Sequence, residues 1–247
     1  MNPLCRRNAG CHDEVMRMLL TSNGIKNDLI RDTLVDLLGK PFAESKIVVI
    51  IDAILPFGGD SSTTLKNLNE LHSLGWNEFE LMSLFGAPHS VIESRLRSAD
   101  VIFCYGGTNH WLAHAWTVNG FAPLLRELLD EKVYLGLSAG SMIFSKAHAD
   151  VVDAFDDHEE VDMLELDSVG PALPLFDWVL MPHLGASFFP HATDEWATAA
   201  AGRLGCPVYF LDDDSAVLIR DPAQAPEIVS LGHWLQFDED GKLVASA

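Results

Sequence analysis

Apolar runs short enough to be strands alternate along this chain with longer stretches of helical periodicity, and that alternation restricts the fold more than any other feature. Met16–Thr21, Lys46–Asp52, Val101–Tyr105 and Val133–Leu137 read as strands, with Glu78–Ser83 a weaker one. Between them, Lys26–Leu38, Thr63–Leu74 and His89–Arg97 carry helical patterns, and a helical stretch interrupted at Gly120 leads into Val133. Repeated βα units of this length imply a parallel sheet, because each helix returns the chain across a face of the sheet to start the next strand. The expected fold class is α/β: a three-layer, doubly wound, mostly parallel sheet. After Trp178–Met181 and a helix at Asp194–Leu204, closely spaced strands at Pro207–Leu211, Ala216–Arg220 and Glu227–Leu231 predict an antiparallel finish. The stretch from Ala149 to Gly170 breaks the pattern. Its acidic residues, from Asp150 to Asp162, read as a solvated loop that could also serve as a lid.

The 247 residues contain no Pro/Gly/Ser-rich linker, so one domain is expected over residues 16–247, behind a polar leader at residues 1–15. That leader carries Arg6 and Arg7 but no apolar core, unlike a secretory signal. A net charge of −20 disfavours nucleic acid and anionic membrane as partners, and an anionic ligand would need a local positive element. No run approaches the roughly 18 apolar residues of a spanning helix. Cys5, Cys11, Cys104 and Cys206 show no CxxC spacing, which suggests reduced thiols and a cytoplasmic location.

The chemistry centres on Gly136-Leu137-Ser138-Ala139-Gly140, directly after an apolar strand. Small residues at a strand-to-helix junction allow a sharp turn that holds the serine out of the sheet, with backbone amides nearby. A serine hydroxyl needs a base, and the base needs an orienting partner. His183 follows Pro182 at the end of the run Trp178–Met181, on the same rim as Ser138. The acid could come from Asp212-Asp213-Asp214, after Pro207–Leu211, or from Asp153 in the acidic segment. Gly106-Gly107-Thr108-Asn109 ends another buried strand; its glycines let the backbone approach a ligand, and the amides of Gly107 and Ala139 would form an oxyanion pair. His110 and His114 have the i, i+4 spacing of zinc ligands, but neither the following glutamate nor a third ligand is evident, so no metal or cofactor is expected.

These four blocks, Gly106–Asn109, Gly136–Ser141, Met181–His183 and Leu211–Ala216, resemble in order and spacing the peptidase E family of aspartyl dipeptidases. The resemblance runs from about Met16 to about Leu231. It implies the class I glutamine amidotransferase-like fold, a small peptide as substrate, a nucleophile at Ser138, a base at His183, oxyanion amides at Gly107 and Ala139, and an acid at Asp213, with Asp153 the second candidate. Gly106, Thr108 and Asn109 would lie against the substrate. In family members that prefer aspartate, an arginine stands shortly after the histidine to hold the substrate carboxylate; here Thr193 occupies that place. The chain is expected to act as a monomer or homodimer. Two other readings compete. An α/β-hydrolase-type esterase would use Ser138 with His233, and an amidotransferase-like binding domain would have kept the turn without the activity.

Overall fold

The computed structural model describes residues 16–247; the leader, with Cys5 and Cys11, lies outside them. Five parallel strands form the main sheet: β1 (Arg17–Thr21), β2 (Lys46–Ile50), β3 (Glu78–Met82), β4 (Val101–Cys104) and β5 (Val133–Leu137). Two antiparallel strands, β8 (Ser215–Ile219) and β9 (Glu227–Ser230), extend it beyond β1, giving the order β3-β2-β4-β5-β1-β8-β9. The expected α/β class and antiparallel finish are both present. β4 and β5 are buried at every position, which is why they read as unbroken apolar runs rather than alternating ones.

Helices cover both faces. Ile30, Leu34 and Leu37 of α1 (Asp28–Leu38) pack with Leu71 of α2 (Ser62–His72) and with Ile47, Phe103 and Leu135 of the sheet. Across the sheet, α3 (His89–Ser98), α4 (Asn109–Val118) and α5 (Ala122–Glu131) bury Ile92, Trp116, Leu125 and Leu128 against Val48, Ile102 and Tyr134. A very short helix, α6 (Ala139–Met142), follows β5 directly.

The sequence pattern implies one sheet, but the described residues form two. β6 (Val179–Met181) and β7 (Val208–Leu211) leave the main sheet and join β10 (Trp234–Phe237) and β11 (Leu243–Ser246) in the order β11-β10-β7-β6. Val179, Met181, Val208, Phe210, Leu235 and Phe237 give this second sheet its own core, closed by α9 (Asp194–Leu204). The acidic segment is also helical rather than loop-like. It forms α7 (Asp150–Phe155) and α8 (His158–Met163), with Asp150, Asp153, Glu159 and Glu160 in the first turns, where carboxylates suit the positive end of the helix dipole. Val151, Val152 and Ala154 anchor α7 by burial. No helix of the described residues is long and apolar enough to cross a membrane.

Candidate active site

Ser138 stands between β5 and α6 with φ 49° and ψ −112°, outside the conformations a serine ordinarily adopts. Neighbours that leave it no alternative hold the turn. The Ser138 amide donates to Thr21 O (3.1 Å), and the Ser141 hydroxyl donates to the same carbonyl (2.8 Å). The Thr21 hydroxyl in turn donates to Gly136 O at 2.6 Å. Gly140 lies so close to β4 that a Cβ there would come within 2.1 Å of the Cys104 carbonyl oxygen. The end of β1, adjacent to β5 in the sheet, therefore clamps the serine in place.

His183 follows β6, and it too has a positive φ, 66°. Its amide donates to the Ser22 hydroxyl (2.8 Å), which donates onward to Leu211 O. Its ring bridges two groups: Nδ1 lies 2.7 Å from Asp213 Oδ1, and Nε2 lies 2.8 Å from Ser138 Oγ. With the Nδ1 proton donated to the carboxylate, Nε2 is left to accept from the serine hydroxyl. Phe188 and Phe189 cover the ring, with centroids 5.0 and 5.6 Å away. Ser138 and His183 are two of the four described non-glycine residues with positive φ, and backbone strain of this kind collects where a site over-determines its geometry.

The three aspartates after β7 have separate roles. Asp212 accepts from the Ser215 hydroxyl and from the amides of Asp214 and His233, which fixes the turn between the two sheets. Asp214 faces Asn27. Asp213 alone reaches the histidine, and its second oxygen accepts from Asn23 Nδ2 at 2.8 Å. Burial pushes the Asp213 carboxyl up, but the hydrogen bond and charge of His183, the Asn23 bond and the Lys26 charge outweigh it and hold the group below its ordinary value. A carboxyl depressed in the folded state contributes stability above its unfolded pKa and loses it as pH falls through the lower, folded one. Acid titration of folding should therefore show the wild type losing stability relative to Asp213→Asn below about pH 4; parallel melting curves from pH 5 to 2 would refute the coupling.

Gly107 has φ 133°, and a Cβ on it would meet the Ala53 carbonyl oxygen at 2.2 Å, so only glycine fits. Ala53 belongs to a 3₁₀ turn held by buried Asp52, which accepts from the Ser83 hydroxyl and the Leu84 amide. Among the described residues, the amides of Gly107 and Ala139 have no hydrogen-bond partner. Gly106 and Gly107 line a cavity of about 380 Å³ with Ser138, His183, Lys26 and Tyr105. Ser138 also lines a second cavity, of about 220 Å³, where Asn109, Asp157, Glu160 and Trp196 are found.

Other sequence candidates fall elsewhere. Asp153 is exposed and pairs with His158 at 3.0 Å, away from His183. His233 lies 3.0 Å from Asp194 and also bonds the Ala247 carbonyl, so it is not available to Ser138. Thr193 is exposed and caps α9 by accepting from the Trp196 amide. Thr108 bonds the Glu160 carboxylate. His110 is buried against His148, with ring centroids 5.2 Å apart, and no group of three metal-ligating side chains occurs among the described residues. The Cys104 thiol, fully buried, is pushed up to about 12 and is a poor nucleophile. Ser22 and Asn23, which carry so much of the geometry, have no motif to betray them; their only sequence signal is position, just after a strand next to β5.

The model of peptidase family S51 matches residues 18–225. An uncharacterized peptidase of Listeria monocytogenes is 29% identical over 130 residues, which is 52% of this chain and 60% of the relative; the chain thus spans less than two thirds of that relative's length. Among solved structures, a Listeria monocytogenes EGD-e protein provisionally described as peptidase E superposes with a TM-score of 0.67 at 21% identity, covering 88% of this chain and all of that one. A peptidase from an acI-B1 Actinobacterium gives 0.65 at 15% identity, covering 95% and 98%. At these identities, the superpositions speak for the fold.

Proposed function

Because this chain belongs to peptidase family S51, we propose that it hydrolyses small peptides with Ser138 as nucleophile, His183 as general base and Asp213 as the group that orients the base. The observation that carries this reading is the unbroken run Ser138 Oγ–His183–Asp213, at 2.8 and 2.7 Å. As Ser138 Oγ attacks the scissile carbonyl, Nε2 of His183 takes its proton, and the Asp213 carboxylate stabilises the imidazolium. The carbonyl oxygen becomes an oxyanion facing the amides of Gly107 and Ala139, donors that need no reorganisation because nothing else occupies them. Collapse of the tetrahedral adduct expels the amine, which His183 protonates, and water repeats the sequence on the acyl-enzyme with His183 again as base. Cavities of about 380 and 220 Å³, both lined by Ser138, suit a dipeptide or a similarly small amide.

A panel of dipeptides varied at the N-terminal residue, including aspartyl ones, tests the reading, with release of free amino acids as the signal. A fluorophosphonate probe should label Ser138 covalently; a folded protein inert to both would favour the binding-domain alternative. His183→Ala should cost about 10⁴-fold or more in kcat/KM, whereas His233→Ala should stay within about threefold. Equal losses would revive the esterase arrangement.

A further inference from the structure

The two cavities that meet at Ser138 differ in charge, and the difference bears on what the enzyme accepts. Lys26 stands in the larger one, where it suits the carboxylate that a dipeptide carries on its leaving side. The smaller is lined by Asp157 and Glu160 and by the apolar side chains of Phe155, Trp196 and Met142. We propose that this smaller cavity takes a lysine or arginine side chain on the residue whose carbonyl Ser138 attacks, a proposal that rests on the peptidase reading above.

Three observations favour a long cationic side chain, and a fourth points to a bound ligand. Asn109 is only 6% exposed and lines the cavity, yet its Nδ2 has no partner among the described residues. A buried donor left unpaired is costly unless a ligand completes it, and what completes this one is an acceptor such as a peptide carbonyl rather than the cation. Asp157 spends one oxygen on His110 Nε2 (3.4 Å) and Glu160 spends one on the Thr108 hydroxyl, so each keeps an oxygen for a guest. Burial raises the Glu160 carboxyl, which a neighbouring cation would reverse. The Phe155 and Trp196 rings, with centroids 5.1 Å apart, offer a surface for methylene groups and for a cation near a ring face.

An α-ammonium alone does not account for this cavity. It sits one carbon from the attacked carbonyl and fills about the volume of a water molecule, roughly 30 Å³, against about 220 Å³ here. An aspartyl side chain fares worse, since Thr193 caps a helix and puts no cation in the cavity. The net charge of −20 would also draw a cationic substrate in and hold an anionic one off.

The test compares Lys-Ala, Arg-Ala, norleucyl-Ala and Asp-Ala. Norleucine matches lysine closely in shape and lacks its charge. The lysyl and arginyl peptides should exceed the norleucyl one by about 30- to 100-fold in kcat/KM, and Asp157→Asn or Glu160→Gln should each cut that ratio at least fivefold. Calorimetric binding to Ser138→Ala should show the same order without turnover. Equal use of lysyl and norleucyl peptides, with both variants impairing them alike, would assign the cavity to the α-ammonium and overturn the proposal, as would a preference for Asp-Ala. Tight lysyl binding to Ser138→Ala without hydrolysis by the wild type would uphold the cavity and count against the peptidase reading instead.

Discussion

Ser138→Ala is expected to lower small-peptide hydrolysis by about 10⁴- to 10⁶-fold while moving the melting temperature by no more than about 2 °C. Under the proposed mechanism the loss is large because the hydroxyl is the bond-forming atom and the other two residues act only through it. The stability cost is small because the hydroxyl's one hydrogen bond is to His183 Nε2. Ser138→Gly sharpens the test. Glycine adopts a φ of 49° without a Cβ penalty, so this variant should lose the same activity and gain about 1 kcal/mol of stability. Activity above about 1% of wild type in either variant would mean another group attacks the carbonyl. A glycine variant less stable than wild type would mean the turn is not strained.

Gly140→Ala should act on both quantities at once. The added Cβ would lie 2.1 Å from the Cys104 carbonyl oxygen and 2.8 Å from its carbonyl carbon, which are backbone atoms of a fully buried strand that cannot rotate aside. The start of α6 would have to lift from β4, stretching the 2.6 Å bond from the Tyr134 hydroxyl to Gly140 O and tilting Ala139 away from Gly107. Overpacking against backbone costs more than the usual 1–3 kcal/mol, so a destabilisation of about 3–5 kcal/mol is expected, a fall in melting temperature on the order of 10 °C. Hydrolysis should fall at least about 100-fold even well below the melting point, because the oxyanion donors would be misplaced. A variant with wild-type melting and activity would show that the turn can relax without cost.

The parts of this architecture that follow a local period were legible in the sequence. Strands β2, β4 and β5 announce themselves as buried runs, and the glycines at 107, 136 and 140 mark where backbone meets backbone. Ser138 and His183 were legible for the same reason, since both stand at strand ends. What local pattern cannot carry is which strands share a sheet. Val179–Met181 and Val208–Leu211 look like further strands of the main sheet, but they pair with Trp234–Phe237 in a second one. Asp150–Met163 looks solvated because its carboxylates dominate, although Asp150, Asp153, Glu159 and Glu160 stand in first turns, where helix N-termini favour them. The resemblance points to Asp213, whereas local pattern alone does not separate it from Asp212 and Asp214; of the three, it is Asp213 that hydrogen-bonds His183, and Asn23 and Ser22 had no signature at all.

The hydroxyls and amide at the end of β1 reach Gly136, His183, Leu211 and Asp213, partners between 115 and 190 residues further along the chain. Asp213, which the proposed mechanism makes the orienting group, comes from the turn between β7 and β8, far along the chain from Ser138. A chain that carries Ser138 and His183 without that turn lacks the hydrogen bond that would align them. Under the proposed mechanism, catalytic assay is therefore a sensitive gauge of complete folding: a sample in which β7 and β8 had not formed would be silent rather than partly active.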